Sequence, residues 1–252
     1  MGAGMYRRFR SDRLTEVPVM TFTAPATPRG RTRRQSAIRT NRARLPDPDT
    51  LTANILSVYD ARTAAEQVQG LRWYADAREV ADEVARTAAL PNRHGAGVIA
   101  ALSPQTSWHA NIGMALEAAV KGTADDAPHC ADACDKATAI LSGAEPSEVL
   151  GGRKVRSFYA NISRPRRSGP VTIDRHAVAI CLRGLEGADT SRFDPVPPST
   201  LERIGVYTYL ASAFRGAADR TDLRPHEMQA VTWVTWRRLT GADVHDRPQE
   251  EF

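Results

Sequence analysis

Glu148-Val149-Leu150-Gly151-Gly152-Arg153-Lys154-Val155 reads as the corner of a helical hairpin. A glycine pair punctuates the chain, and the apolar spacing through Phe158 and Ile162 opens a second helix after it. Such a corner exposes backbone N–H groups beside a helix N-terminus, an arrangement that suits a phosphate. The plainer reading is a glycine helix stop followed by a solvated Arg-Lys pair.

Working outward from this corner, the chain from Thr50 onward is helical in pattern. Leu51 to Tyr59 and Thr63 to Leu90 carry Ala, Glu and Arg at helix-favouring density. Trp108, Ile112, Ala115, Leu116 and Ala119 recur at helical spacing. Leu201 to Phe214 and Pro225 to Leu239 form two more helices, the second with Pro225 in its first turn. Breaks fall at Pro91-Asn92, Asp125 to Pro128, Arg164 to Gly169 and Pro195 to Pro198. No alternating strand pattern interrupts them. An all-α domain over residues 50–245 is expected, with residues 246–252 as a C-terminal tail.

Residues 1–49 differ in character. They hold eleven arginines among Pro and Thr, show no apolar periodicity, and bury too little surface to offset ordering entropy. A disordered basic tail is expected. Two readings stand: an arm attracted to nucleic-acid phosphates, or a solvated leader with Met5 or Met20 as the true start.

The 252 residues, 27.5 kDa, have room for one domain or two small helical lobes sharing a cleft. No apolar run approaches the roughly 20 residues of a spanning helix, and the Arg-rich start is no secretory signal. Three cysteines form no even disulfide set, which points to a reducing cytoplasm. Net charge is +5, yet only Lys121, Lys136 and Lys154 are lysines. That bias fits the codon usage of a GC-rich genome, actinobacterial or phage (a bacterial cytoplasm in either case), so arginine number alone carries no argument.

Two further stretches carry chemistry. In Leu102-Ser103-Pro104-Gln105-Thr106-Ser107-Trp108 a helix stops at Pro104, Gln105 sits in the break and Ser107 can cap the next helix. In Val171-Thr172-Ile173-Asp174-Arg175-His176-Ala177-Val178 the Asp174 carboxylate stands where a buried apolar helix begins. Capping donors and the helix dipole suit a negative charge there. A rigid carboxylate at a cleft is also what a developing sugar cation needs.

In this order and spacing the three stretches resemble the helix-hairpin-helix DNA glycosylase superfamily, on its endonuclease III and MutY branch. The likeness rests on Leu102-Ser103-Pro104-Gln105-Thr106, Gly152-Arg153-Lys154 and Ile173-Asp174-Arg175-His176, and covers roughly residues 95 to 185. It implies two helical lobes with Lys154 and Asp174 facing each other across a cleft into which a nucleotide is flipped. Lys154 then matches the nucleophile that attacks C1′ and forms a Schiff base. Asp174 matches the carboxylate that supports the sugar cation, and Gln105 the glutamine that fills the gap left in the duplex. Gly151, Gly152, Arg153, His109 and Arg175 are candidate DNA contacts. Gln229 and Trp233 are candidate walls of the base pocket, unless the tryptophans of that last helix simply pack. His176 is expected to be structural.

The chain also departs from that pattern. The family's Leu-Pro-Gly-Val-Gly hairpin shrinks to Leu150-Gly151-Gly152, leaving fewer N–H groups to grip duplex phosphates. The four-cysteine iron–sulfur motif is missing after Asp174, where only Cys181 lies, in a core helix. His129, Cys130 and Cys134 invite a metal reading, but structural zinc wants four ligands and no second Cys/His pair follows. Neither metal nor cofactor is expected, and DNA is the expected partner of a monomer. The implied function is excision of a damaged or modified base, with or without strand cleavage at the abasic site. The rivals are a phage enzyme that hypermodifies bases on the same scaffold, and a non-catalytic DNA-binding module.

Overall fold

The computed structural model describes residues 28–189, 191 and 197–241. The expected C-terminal tail and the first 27 residues of the basic segment lie outside them. All regular structure described is helical: α1 (Pro28–Arg42), α2 (Pro48–Asp60), α3 (Ala64–Thr87), α4 (Asn92–Ala101), α5 (Trp108–Lys121), α6 (Ala131–Leu141), α7 (Pro146–Val149), α8 (Arg153–Ser163), α9 (Arg175–Arg183), α10 (Val206–Ala218) and α11 (Pro225–Leu239).

Local chemistry sets most of the boundaries. Asp47 accepts from the Asp49 and Thr50 N–H groups ahead of α2. Thr63 and Glu66 form a reciprocal capping box on α3, Ser107 Oγ accepts from Ala110 N on α5, and Asp174 Oδ1 from Ala177 N on α9. Gly152, at φ +67°, turns the chain from one-turn α7 into α8. An L side chain is disfavoured in that left-handed region.

Two elements correct the sequence reading. Residues 28–42 form α1 instead of irregular chain. One apolar residue anchors it: Ile38 packs on Gly205, and Asn41 Nδ2 donates to Ile204 O at 3.1 Å. The helix expected from Leu201 starts only at Val206, because residues 201–205 turn and end on Gly205 at φ +88°.

Two hydrophobic cores result. The first gathers Ile99, Leu102, Ile140, Leu150 and Ile162 from α4, α6 and α8 and their flanks, against the alanines of α3 and α5. The second gathers Leu51, Ile55, Ile173, Ile180, Leu210, Phe214 and Met228 around α2, α9, α10 and α11. Helix α3, 24 residues and so about 36 Å long, is clamped to α11. Gly70 lets the α11 backbone approach so closely that a Cβ would lie 2.4 Å from Val231 Cα. Nearby, Arg238 pairs with buried Glu66. Helix α11 serves both cores, Ala230 in the first and Val231 in the second.

Candidate active site

A cavity of about 120 Å³ opens beside the first core, against the stretch that leads into α9. That exceeds the roughly 10–15 Å³ one water needs by enough to admit a small ring system. Its walls come from six places: Trp73 and Tyr74 of α3, the α4–α5 turn, Trp108 and Asn111 of α5, Lys154 and Phe158 of α8, Thr172 and Asp174 before α9, and Gln229, Ala230 and Trp233 of α11.

The aromatic rings form a connected wall. Trp73 stands edge-on to Tyr74 and Trp233, at 5.0 and 5.9 Å between centroids, and tilted against Trp108 and Phe158. Such a wall offers flat faces to a planar ligand.

Asp174 is fixed at both oxygens. While Oδ1 caps α9, Oδ2 accepts from the Trp233 indole N–H at 3.1 Å. The stretch that delivers it is pinned as well: Tyr207 of α10 donates to Val171 O at 2.9 Å and accepts from Ile173 N at 3.2 Å. Lys154 is half-buried in the first turn of α8. The other two lysines are tied up, Lys121 with Glu117 and Asp126, Lys136 with Asp132. Lys154 has no carboxylate partner within 4.0 Å among the described residues.

Polar groups face the cavity from its floor. Burial, chiefly, pushes the Tyr74 phenol up to about 12, so it remains a donor, and it gives its proton to Gln229 Oε1 at 2.9 Å. The Gln229 amide N–H groups are then left as donors beside the cavity. Asn111 is only 2% exposed; its Nδ2 donates to Ile99 O, whereas its Oδ1 is buried with no partner. A buried unsatisfied acceptor costs about 1–3 kcal/mol, which a ligand N–H would recover.

Of the residues singled out from sequence, Lys154, Asp174, Gln229 and Trp233 share this cavity. Gln105, His109, Arg175, Gly151, Gly152 and Arg153 do not line it. Gln105, His109 and Arg175 are exposed, and Arg153 donates to Thr208 Oγ1 at 2.6 Å on another face. Gln105 nonetheless tips the turn whose Ser103, Thr106 and Ser107 form one wall. It is held at φ +57°, a left-handed conformation that costs a non-glycine residue about 1–2 kcal/mol. His176 packs edge-on near Trp233. Trp236 is core. Trp73, Tyr74, Asn111 and Thr172 escaped the sequence reading as cavity residues. The adjacent Trp-Tyr pair in an otherwise Ala-, Glu- and Arg-rich helix was the available signal.

Among the described residues no three His, Cys, Asp or Glu side chains gather to hold a metal, and no helix is long and apolar enough to cross a membrane. No curated protein and no solved structure matches the chain. A family model described as a family of unknown function, DUF7178, matches residues 38–240, and the chain belongs to that family.

Proposed function

We propose that this member of the DUF7178 family is a DNA glycosylase, removing a damaged or modified base that is flipped into the aromatic cavity. One observation carries the reading: Lys154 and Asp174, twenty positions apart in the chain, line that cavity together, and Asp174 is held there by two hydrogen bonds. In this reading the two cores correspond to the two helical lobes, and the aromatic cavity to the cleft.

The chemistry follows from the parts. Flipping a nucleotide costs a few kcal/mol. Stacking on aromatic faces returns about 1–3 kcal/mol per base, so Trp73, Trp108, Phe158 and Trp233 offset most of it. Attack requires the Lys154 nitrogen lone pair, which forms a bond to C1′ as the C1′–N bond breaks and then gives up a proton. The bonding pair leaves with the base, which takes up a proton, and the sugar adduct opens to a Schiff base. Asp174 carries negative charge beside the positive charge that develops on the sugar. Should water attack instead, the product is an abasic site. Gln105, on its exposed turn, fills the gap in the stack. Gly151, Gly152, Arg153, His109 and Arg175 contact the DNA backbone around it.

Borohydride trapping tests this directly. A reduced covalent protein–DNA adduct that disappears in Lys154→Ala is the result expected for lysine attack. Alkali-labile abasic sites without an adduct are the result expected for water. The brevity of the hairpin, one-turn α7 and two glycines, favours a second reading in which a base is modified in place. Nucleosides of altered mass with every sugar–base bond intact would establish that reading and overturn the first.

A further inference from the structure

A second groove lies between α1, the start of α8 and the turn into α10. Arg34 and Arg42 of α1, Arg153 of α8 and Arg203 of the turn all line it, and Glu202 is the one carboxylate among its lining residues. Helix α1 adds to this bias, since its fifteen residues, PRGRTRRQSAIRTNR, contain six arginines and no acid.

Two of the arginines, Arg42 and Arg153, are placed by contacts. The Arg42 guanidinium lies 5.3 Å from the Tyr209 ring centre, and Tyr209 itself donates to Pro46 O at 3.0 Å. Arg153 is held on Thr208 Oγ1. Ile38 on Gly205 and Asn41 on Ile204 O fix the helix across the groove from Arg203. Four guanidinium groups brought onto one groove repel one another unless anions lie between them. Guanidinium forks match phosphate oxygens in pairs. The groove also adjoins the cavity through the chain, because Arg153 precedes Lys154.

We propose that this groove binds the sugar–phosphate backbone of a DNA strand, with α1 supplying the phosphate contacts that the shortened hairpin lacks. That the same strand feeds the cavity rests on the glycosylase reading; the groove's affinity for DNA does not.

Fluorescence anisotropy on the full-length chain tests it, with labelled single-stranded and duplex 20-mers titrated across a salt series. Each lost phosphate contact lowers the salt slope by about 0.7 for single strands and about 0.9 for duplex. Arg34→Ala/Arg42→Ala/Arg203→Ala is therefore expected to lower the slope by about two to three and the affinity at least about tenfold. The corresponding triple lysine variant keeps most of the slope, and Arg72→Ala/Arg86→Ala on the exposed face of α3 leaves it unchanged. An unaltered slope in the triple alanine variant overturns the proposal, as does an equal loss in the lysine variant. Binding of polyglutamate as tightly as DNA would overturn the choice of partner. DNA bound through the groove with no base ever released would leave this inference standing and sink the glycosylase reading.

Discussion

Trp233 holds Asp174 and walls the cavity with the same ring, so its two roles separate by substitution. Trp233→Phe keeps an aromatic face but leaves Asp174 Oδ2 without its donor. A hydrogen bond to a carboxylate is worth about 1.5–3 kcal/mol, and losing it is expected to cost up to that in stability and to slow base release about tenfold. A thermal melt beside single-turnover kinetics reads both. Gln105 makes the opposite trade. Glycine relieves the left-handed strain at φ +57°, so Gln105→Gly is expected to melt at or above the wild-type temperature. On the glycosylase reading, the same variant is expected to lose more excision from duplex than from single strands, because the amide proposed to fill the gap is gone. Equal losses on both substrates would remove that role from Gln105.

Close helix crossings set the frame, and they set its weak points. A Cβ at Gly95 of α4 would lie 1.9 Å from Ala81 O of α3, a backbone atom that cannot swing aside. Gly95→Ala is therefore expected to lose about 1–3 kcal/mol or more, seen as a lower urea midpoint. At α11, burial holds the His226 imidazole below its ordinary range, although its Nε2–H donates to Pro165 O. As pH falls, the unfolded chain takes up the second imidazole proton before the folded one does. Stability is thus full above the ordinary imidazole range and declines as pH drops through it. Melts at pH 7.5, 6.5 and 5.5 should show this decline, and His226→Gln should flatten part of it. Helix starts were legible in the sequence, through the caps Ser107 for α5 and Asp174 for α9 and the first-turn Pro225 of α11, because such residues and their helix are neighbours in the chain. Helix α1 was not, since Ile38 finds its partner at Gly205, far along the sequence.

At the scale of the whole molecule, two cores that share α11 leave a cavity walled by aromatic residues of the first core and by Thr172, Asp174, Gln229 and Trp233. The resemblance to the glycosylase superfamily, carried by the order and spacing of three stretches, pointed to Lys154 and Asp174, and the last helix to Gln229 and Trp233. Helix facing hid the rest: which side of α3 and α5 presents Trp73, Tyr74 and Asn111 depends on packing that no local pattern records. The arginine groove was hidden for the same reason, being assembled from α1, α8 and the turn before α10. The most direct measurement is mass-spectrometric quantification of free bases released from varied DNAs, native genomic DNA included, by wild type and by Asp174→Asn. Release by the wild type, reduced at least about 100-fold in the variant, is expected. Release that is equal in the two, or no free base from any DNA while every nucleoside stays intact, would contradict base excision at this cavity.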